Sequence, residues 1–306
     1  MHHARTAPDR ADVPVSPGQT LLEAMLAANL PLAHACGGNA RCSTCRVRIE
    51  TGAEQCESRP ADELAMAERL GFDDDTRLAC RTRLRGDVDV RRLVIDAEDM
   101  ALATRPADSA GARAVGREAT LTLMFTDVAD FTPLSEVLPP YDVIHLLNRW
   151  FTAAGEVVTR FGGRIDNYMG DGFFAVFGDS EDSVTDVLDS VRAGLELVSV
   201  AADVSRYAES IYGRPFGVRV GIHRGQVVVG GLGAASLVRE TVIGDAVNVA
   251  ARIEAANKPA GTRLLVSDAV ADLVRGRVTF GKSVDAELKG KVGAHRLHEV
   301  RAVASD

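Results

Sequence analysis

Four of the five cysteines in this chain of 306 residues are spaced as ligands of a metal or of an iron–sulfur cluster. Cys36, Cys42 and Cys45 form a Cys-x5-Cys-x2-Cys run, and Cys80 follows 35 residues after the last of them. Thiolates suit zinc and iron–sulfur sites, and a tight loop can wrap three of them around one centre. The fifth cysteine, Cys56, fits no ligand position, so we expect it to be a free thiol.

Two glycines after the first cysteine favour a cluster over zinc. Gly37 and Gly38 allow backbone N–H groups to approach sulfur atoms, which an iron–sulfur cluster requires for hydrogen bonding and a zinc site requires less. The odd number of cysteines, all within the first 80 residues, argues against a disulfide framework.

A second group of residues carries carboxylates. Asp127 lies at the end of a predicted strand, directly after Phe-Thr, and Asp171 lies in a Gly-Asp-Gly turn. Two carboxylates on neighbouring strands can bridge two divalent cations, which activate a hydroxyl and hold phosphates. The turn after Asp127 can present the backbone N–H groups of Phe131 and Thr132 to phosphate oxygens. Either motif alone is more often only a turn.

A third group lies on one predicted helix. Asn248 and Arg252 are four residues apart and therefore share a helix face. An amide beside a guanidinium fork suits a ribose and a phosphate in its transition state. Such a pair is usually an ordinary surface pair, so it gains meaning only together with the carboxylates.

Periodicity and turn residues divide the chain into two parts. We place a first domain at 1–96, a linker rich in Ala, Arg, Asp and Gly at 97–118, and a second domain at 119–306. In the first domain, Thr20 and Glu23 form a capping box that predicts the start of a helix.

The second domain alternates strands with long helices. Strands are predicted at 119–128, 164–168, 173–177, 216–222, 226–230 and 262–266. Helices are predicted at 141–161 and 182–212, and a third begins near Gly244. Hairpins mixed with crossover helices predict an α+β fold, in which a mixed sheet is layered with helices.

The cysteine segment resembles the [2Fe–2S] ferredoxins. The similarity rests on Leu-Ala-His-Ala-Cys-Gly-Gly-Asn-Ala-Arg-Cys-Ser-Thr-Cys-Arg-Val, which starts at Leu32, and on Arg-Leu-Ala-Cys, which ends at Cys80. It implies a β-grasp domain over residues 13–95 in which Cys36, Cys42, Cys45 and Cys80 bind a [2Fe–2S] cluster. Residues 1–12 contain no convincing first strand, so we expect the first hairpin to be shortened.

Five ordered motifs between residues 119 and 300 resemble the class III nucleotide cyclases. They are the Phe-Thr-Asp strand, the Gly-Gly before the hairpin, the Gly-Asp-Gly turn, the Val-Ile-Gly-Asp-Ala-Val-Asn-x-Ala-x-Arg helix and a late Leu-Lys-Gly. The resemblance implies a cyclase catalytic domain that holds two Mg²⁺ or Mn²⁺ ions per site. The residues that it implicates as metal ligands are Asp127, Val128 and Asp171.

The same resemblance assigns roles to residues that bind the nucleotide. Asn248 would orient the ribose, Arg252 would stabilise the transition state, and Lys289 would bind the triphosphate. The family works as a dimer whose sites straddle the interface, which implies a homodimer here. Asn167 and Asp171 would then serve opposite sites.

Asn167 and Thr241 occupy the positions that would contact the purine base. Adenylate cyclases of this kind usually carry Lys at the first position, and guanylate cyclases usually carry Glu. Because an amide and a hydroxyl both donate and accept, the pair itself does not determine the base. Thr241 and the absence of Glu favour ATP, and a guanylate cyclase remains the alternative.

Composition excludes several other classes of protein. With a formal charge of −8, a broad nucleic-acid-binding surface is not expected. No stretch of 18 uncharged apolar residues and no apolar leader is present, so we expect a cytoplasmic protein.

Two further alternatives concern the fusion of the two parts. A non-catalytic redox sensor or electron carrier could use the cyclase-like part only to dimerise or to bind nucleotide. The retained Asp127, Asp171 and Arg252 favour catalysis instead. A one-electron change at the cluster, supplied by a redox partner, could set cyclase activity, or the first domain could be a tether that aids folding or docking.

Overall fold

The structure is a computed structural model, and it describes residues 1–93, 116–178, 183–233, 239–288 and 293–304. The chain divides into two compact units, Met1–Arg117 with Gly230–Glu240, and Glu118–Val229 with Thr241–Asp306. Two separate sheets with helices form the architecture, so the predicted α+β class is confirmed. The predicted linker lies outside the described residues, apart from its last three positions.

A five-stranded sheet in the order β2-β1-β5-β3-β4 forms the first unit. The strands are β1 (His2–Ala7), β2 (Asp12–Val15), β3 (Arg46–Thr51), β4 (Thr76–Leu78) and β5 (Val88–Arg92). β1 and β5 pair in parallel, and the other neighbours pair antiparallel. Helices α1 (Leu21–Ala27) and α2 (Ala61–Leu70) and a 3-10 turn at Ala53–Gln55 complete the unit.

The expectation of a shortened first hairpin is wrong. β1 pairs antiparallel with β2 from His2 opposite Val15 to Arg5 opposite Asp12. The inward side chains of β1 are Ala4 and Thr6, both buried. Because neither is large and apolar, the alternation that normally reveals a half-buried strand is weak in this segment.

Helix α1 begins as its sequence predicts. The Thr20 side chain accepts from the backbone N–H of Glu23 at 3.3 Å, and the Glu23 carboxylate accepts from the backbone N–H of Thr20 at 2.8 Å. These reciprocal bonds satisfy two N–H groups at the helix N-terminus. Leu21, Leu22 and Met25 then bury one face of α1 in the core of the unit, directly before the cysteine loop.

An eight-stranded sheet forms the second unit, in the order β12-β13-β11-β9-β6-β8-β7, with β10 paired to β9. Its strands are β6 (Arg117–Val128), β7 (Arg164–Met169), β8 (Gly172–Phe177), β9 (Val218–Leu232), β10 (Arg239–Ile243), β11 (Leu264–Ser267), β12 (Val278–Glu287) and β13 (Ala294–Val303). Its helices are α3 (Phe131–Val137), α4 (Pro140–Arg160), α5 (Ser183–Tyr212), α6 (Asp245–Ala260) and α7 (Asp268–Ala271).

Both faces of this sheet are covered. The long helices α4 and α5 bury Trp150, Ala154, Val191 and Leu197 in the main core, together with Phe173 of β8. Helix α6 covers the other face, where its alanines pack with β6, β8, β9 and β10. Burial on both faces explains why β8 is apolar throughout.

Strand β9 differs from its prediction. Two strands were expected at 216–222 and 226–230, and the structure has one continuous strand, Val218–Leu232. The intervening His-Arg-Gly interrupts the apolar pattern because these three residues are only half-buried, although the backbone remains extended. Strands β10, β12 and β13 and helices α2, α3 and α7 were not predicted.

Candidate active site and cluster-binding loop

The loop between α1 and β3 carries three of the predicted ligand cysteines, and the turn after β4 carries the fourth. The Sγ atoms of Cys45 and Cys80 are 3.5 Å apart. Cys36 and Cys42 are joined by a side-chain hydrogen bond. The four thiols therefore form two pairs, which is how two iron atoms of one cluster could each receive two thiolates.

Backbone N–H groups surround these sulfur atoms. Gly37, Gly38 and Ala40 have positive φ values of 69°, 81° and 53°, so the loop turns its N–H groups inward. Burial raises the pKa of Cys36, but the bond from Cys42 and the N–H groups of the loop outweigh it, and the net pKa is lowered. This donor set fits an anionic cluster.

The second cysteine pair is joined by a hydrogen bond. The Cys45 thiol donates to Cys80, which lowers the pKa of Cys80 to about 6 and raises that of Cys45. Arg81 follows directly, and its guanidinium donates to the Gly38 carbonyl at 3.0 Å and to the Asp62 carboxylate at 2.7 Å. Arg81 thus ties the fourth ligand position to the loop that carries the other three.

Replacing any of the four predicted ligand cysteines by Ser should bleach the visible absorbance of anaerobically purified protein and lower its iron content below two atoms per chain. A serine hydroxyl is a poorer ligand for iron than a thiolate. Cys56 provides the matched control, because it is half-buried and pairs with Leu84 outside the loop. Stoichiometric zinc in the wild type, or bleaching by Cys56→Ser alone, would contradict the assignment.

The two predicted carboxylates also lie side by side. Asp127 ends β6, and Asp171 lies in the turn from β7 to β8, while Thr126 pairs with Phe173 across these strands. A Cβ on Gly172 would be 2.1 Å from the carbonyl oxygen of Thr126. Only glycine therefore allows the turn to approach β6 closely enough to bring Asp171 to Asp127.

Electrostatics at this pair indicate a place for cations. Burial, the charge of Asp171 and a hydrogen bond to it raise the pKa of Asp127 to about 6, although the Arg219 guanidinium opposes the rise. Paired carboxylates are hard oxygen ligands of the kind that Mg²⁺ and Mn²⁺ prefer. Among the described residues, no group of three or more His, Cys, Asp or Glu side chains surrounds one metal position.

Helix α6 presents opposite charges in opposite directions. Glu254 is close enough to the carboxylate pair that burial and the charge of Asp127 raise its pKa to about 7. Arg252 precedes Glu254 by two residues, which corresponds to a rotation of about 200° around a helix. Arg252 therefore faces away from the carboxylates of its own chain. Consistently, Arg219 is the guanidinium whose charge acts on Asp127.

Arg252 is also poorly satisfied. Its Nη1 atom is buried and has no hydrogen-bond partner within the part of the chain that the structure describes. Asn248, one helical turn earlier, is exposed, while Ala246, Ala250 and Ile253 are buried. Asn248 thus lies on the exposed side of α6, and Arg252, one turn later and half-buried, retains a donor that a ligand could use.

The two predicted purine-contacting positions lie on β7 and β10. Asn167 is exposed, and Thr241 is half-buried. The Thr241 hydroxyl donates to the Oδ2 atom of Asp166 at 2.8 Å, and Arg164 Nη1 donates to the Oδ1 atom at 2.5 Å.

The remaining predicted site residues are placed as follows. Val128 has a buried side chain, so only its backbone carbonyl could bind a metal. Phe131 and Thr132 begin the short helix α3, after Asp130 in a left-handed conformation (φ 57°). Lys289 lies outside the described residues.

Three residues near the site were missed by the sequence reasoning. The charge of Arg219 lowers the pKa of Asp127, the charge of Asp127 raises the pKa of Glu254, and Asp166 accepts a hydrogen bond from Thr241. Glu254 had a signal, since it follows Arg252 in the helix motif. Arg219 and Asp166 had none, because each reaches the site through a partner distant in sequence.

Comparison with known families decides what this arrangement belongs to. The profile of the adenylate and guanylate cyclase catalytic domain matches residues 114–300, more than half of the chain. The chain belongs to this family. The profile of the 2Fe-2S iron-sulfur cluster binding domain matches residues 5–85. The cyclase domain and the ferredoxin domain recognised in the sequence are both confirmed.

Curated relatives of the cyclase domain include enzymes named for adenylate. The chain is 36% identical over 194 residues to Adenylate cyclase 1 of Rhizobium meliloti (strain 1021), covering 63% of this chain and 29% of that protein. It is 36% identical over 192 residues to Adenylate cyclase of Anabaena cylindrica, covering 60% and 37%. The chain thus covers well under two thirds of the length of either relative.

A solved structure of similar fold is named as a guanylyl cyclase. The crystal structure of the guanylyl cyclase Cya2 matches the cyclase chain with a TM-score of 0.58 and 29% identity, covering 62% of this chain and 95% of that one. The cyclase fold is therefore common to both kinds of enzyme, and it does not identify the base. None of the helices in the described ranges has the length and apolar character needed to cross a membrane.

Proposed function

We propose that the chain is an adenylate cyclase that converts ATP into 3',5'-cyclic AMP and pyrophosphate. The observation that carries the proposal is the division of charge: Asp127 and Asp171 are paired, and Arg252 faces away from them with an Nη1 atom that has no hydrogen-bond partner among the described residues. A carboxylate pair for cations and a cationic group for phosphate are the two parts that a cyclisation site needs.

In this reaction the 3'-oxygen of the ribose forms a bond to the α-phosphorus, the bond to the β-phosphate oxygen breaks, and the 3'-proton is released. Asp127, Asp171 and the Val128 carbonyl would hold two Mg²⁺ or Mn²⁺ ions. Such ions lower the pKa of the attacking hydroxyl and neutralise phosphate charge. Asn248 would orient the ribose, and Arg252 would donate to the phosphate oxygens as negative charge shifts toward the leaving group.

The site would be completed by a second copy of the chain. Because Glu254 faces the carboxylates, Arg252 of the same helix cannot also reach them. In a twofold dimer, Arg252 of one protomer would instead meet Asp127 and Asp171 of its partner. Exposed apolar side chains follow both purine-contacting residues, Met169 after Asn167 and Ile243 after Thr241, and such residues often mark interfaces.

ATP is the proposed substrate, and GTP is the alternative. Thr241, the absence of Glu at position 167 and the two curated relatives named adenylate cyclase support ATP. The test compares kcat/KM for ATP and for GTP with Mn²⁺ or Mg²⁺, with product separation by chromatography and Arg252→Ala as control. A higher value for GTP would identify a guanylate cyclase, and no cyclic product from either would favour a non-catalytic redox protein.

We propose that the ferredoxin domain, within 1–96, regulates the cyclase domain, within 119–306, through the linker at 97–118. One electron changes the charge of a [2Fe–2S] cluster by one unit, and a dimeric site is sensitive to small rotations of its subunits. Cyclic AMP formation by the anaerobic holoprotein should therefore differ between the oxidised state and the state reduced by dithionite.

A truncated chain that starts at Gly111 is the control for this regulation, since it lacks the cluster and should not respond to dithionite. Equal rates for the full chain in both redox states, at several ATP concentrations, would remove the proposed redox control. The ferredoxin domain would then be a tether or a docking site for a redox partner protein.

A further inference from the structure

The Thr241 hydroxyl is already committed as a donor inside its own chain. It donates to Asp166 Oδ2 at 2.8 Å, while the other oxygen of that carboxylate accepts from Arg164. A guanidinium has donors only, and an ionised carboxylate has acceptors only. The polarity of this three-residue chain is therefore set from one end: Arg164 donates, Asp166 accepts twice, and Thr241 donates.

The backbone and the burial of Asp166 keep this arrangement in place. Along β7, Ile165 pairs with Ala175 and Asn167 pairs with Phe174, so Asp166 is the extra residue of a β-bulge. Bulges re-aim side chains, and here Asp166 is buried beside the exposed Asn167. Only 1% of the Asp166 side chain is exposed, so water does not compete with Thr241 and Arg164 for its two oxygen atoms.

We propose that Asp166 is a specificity-determining positioning residue, which makes Thr241 an acceptor toward the purine and thereby selects adenine. This inference rests on the proposed function, because it requires Thr241 to face the base. With its proton bound to Asp166, the hydroxyl offers only lone pairs outward. Adenine presents an N6 amino donor at that edge, whereas guanine and hypoxanthine present the O6 acceptor.

Asn167 cannot make this choice by itself. Its amide can turn either its oxygen or its NH₂ toward N1 of the purine, so it accommodates both protonation patterns of that atom. Two acceptors facing each other repel, and an unmatched polar group in a binding site is costly. Discrimination against bases that carry O6 therefore depends on Thr241, and Asp166 acts through Thr241.

Asp166→Asn should reverse the direction of the hydrogen bond to Thr241, and not merely weaken that bond. Arg164 can only donate, so the new amide would turn its oxygen toward Arg164 and its NH₂ toward Thr241. In this variant the Thr241 oxygen would accept a hydrogen bond from the new NH₂ group. The hydroxyl proton of Thr241 would then turn outward as a donor. A donor at this point suits O6 and opposes the N6 amine.

The experiment measures kcat/KM for ATP and for inosine triphosphate with the full chain and Mn²⁺. Inosine triphosphate carries O6 and N1–H like GTP but lacks the 2-amino group, so it isolates the edge that Thr241 would contact. We expect the wild type to prefer ATP. Asp166→Asn should lower the ratio of kcat/KM for ATP to kcat/KM for inosine triphosphate by roughly tenfold or more. Both substrates are measured on one preparation, so a loss of folded protein cancels in the ratio.

Two matched variants keep the inference falsifiable if Asp166→Asn is too damaged to assay. Thr241→Ser retains the hydroxyl and should keep the wild-type ratio of kcat/KM for ATP to kcat/KM for inosine triphosphate. Thr241→Val removes the hydroxyl and should bring this ratio toward one. In the Thr241→Val background, Asp166→Asn should cause no further change in the ratio. An unchanged ratio in Asp166→Asn or in Thr241→Val would overturn the inference.

Failure of the inference and failure of the proposed function are distinguishable. If the wild type forms cyclic AMP but Asp166→Asn lowers kcat/KM equally for both substrates, the proposed cyclase function stands and Asp166 has only a structural role. If the wild type prefers inosine triphosphate, the acceptor role of Thr241 is wrong. If it forms no cyclic product from either, the proposed function fails and the inference with it.

Discussion

Replacing Asp127 or Asp171 by Ala should reduce cyclic nucleotide formation by about a thousandfold or more while the dimer stays folded. In the proposed site each change would remove one of two neighbouring oxygen ligands, and the loss of transition-state stabilisation from a two-cation site is several kcal/mol. Turnover with saturating Mn²⁺, together with size measurement by light scattering, tests this. Near wild-type turnover in either variant would show that the cations are held elsewhere.

The isosteric change Asp127→Asn gives the same test a second readout. The folded protein raises the pKa of Asp127 from an ordinary 3.8 to about 6, with burial as the first cause and Asp171 as the second. The folded state thus favours the protonated carboxyl. The stability that this group contributes is present below about pH 4 and is lost as the pH rises through about 6.

In EDTA at pH 7.5, Asp127→Asn should therefore melt at a higher temperature than the wild type, by about 2–4 °C for each kcal/mol regained. Mn²⁺ should stabilise the wild type and have a much smaller effect on the variant, because the variant lacks a ligand. A variant that melts lower than the wild type in EDTA would contradict the account of charge crowding at this pair.

Mixing two inactive variants should restore activity. Asp171→Ala and Arg252→Ala each damage a different half of the shared site, so one site of a mixed dimer carries both defects and the other carries none. With free exchange of subunits, half of the dimers are mixed and each has one intact site. Recovery should approach about a quarter of wild-type activity.

The control for this mixing experiment combines both substitutions in one chain. Mixing the double variant with either single variant leaves no intact site in any dimer, so no activity should return. Exchange of subunits is followed separately with differently labelled chains. If exchange is complete and Asp171→Ala with Arg252→Ala shows no recovery, each site is contained in one chain, and the reading of α6 is wrong.

Features determined by neighbours in sequence were predictable. The capping box of Thr20 and Glu23 and the turn that holds Asp171 depend on residues a few positions apart. The cysteine loop is similar, since its glycines permit the left-handed conformations that turn N–H groups toward sulfur. In such cases, residue type and spacing already limit the backbone to a small number of conformations.

Features determined by distant contacts were not predictable. β1 has small or polar inward residues, and its strand conformation comes from pairing with both β2 and β5. The bulge at Asp166 adds one residue relative to β8, which no alternation pattern reveals. The hydrogen bond to Thr241 spans 75 residues. This contact depends on where the fold places β10, so the sequence favoured ATP only through the residue types at positions 167 and 241.

The most direct test of the central claim is phosphorus NMR of the full chain with ATP and Mg²⁺, which is diamagnetic and leaves the phosphate signals sharp. Cyclisation converts the three phosphate resonances of ATP into one cyclic phosphodiester and one pyrophosphate signal in equal molar amounts. The account predicts these two products, and their loss in Asp171→Ala. Formation of ADP and inorganic phosphate, or unchanged ATP with the folded wild-type chain, would contradict the account.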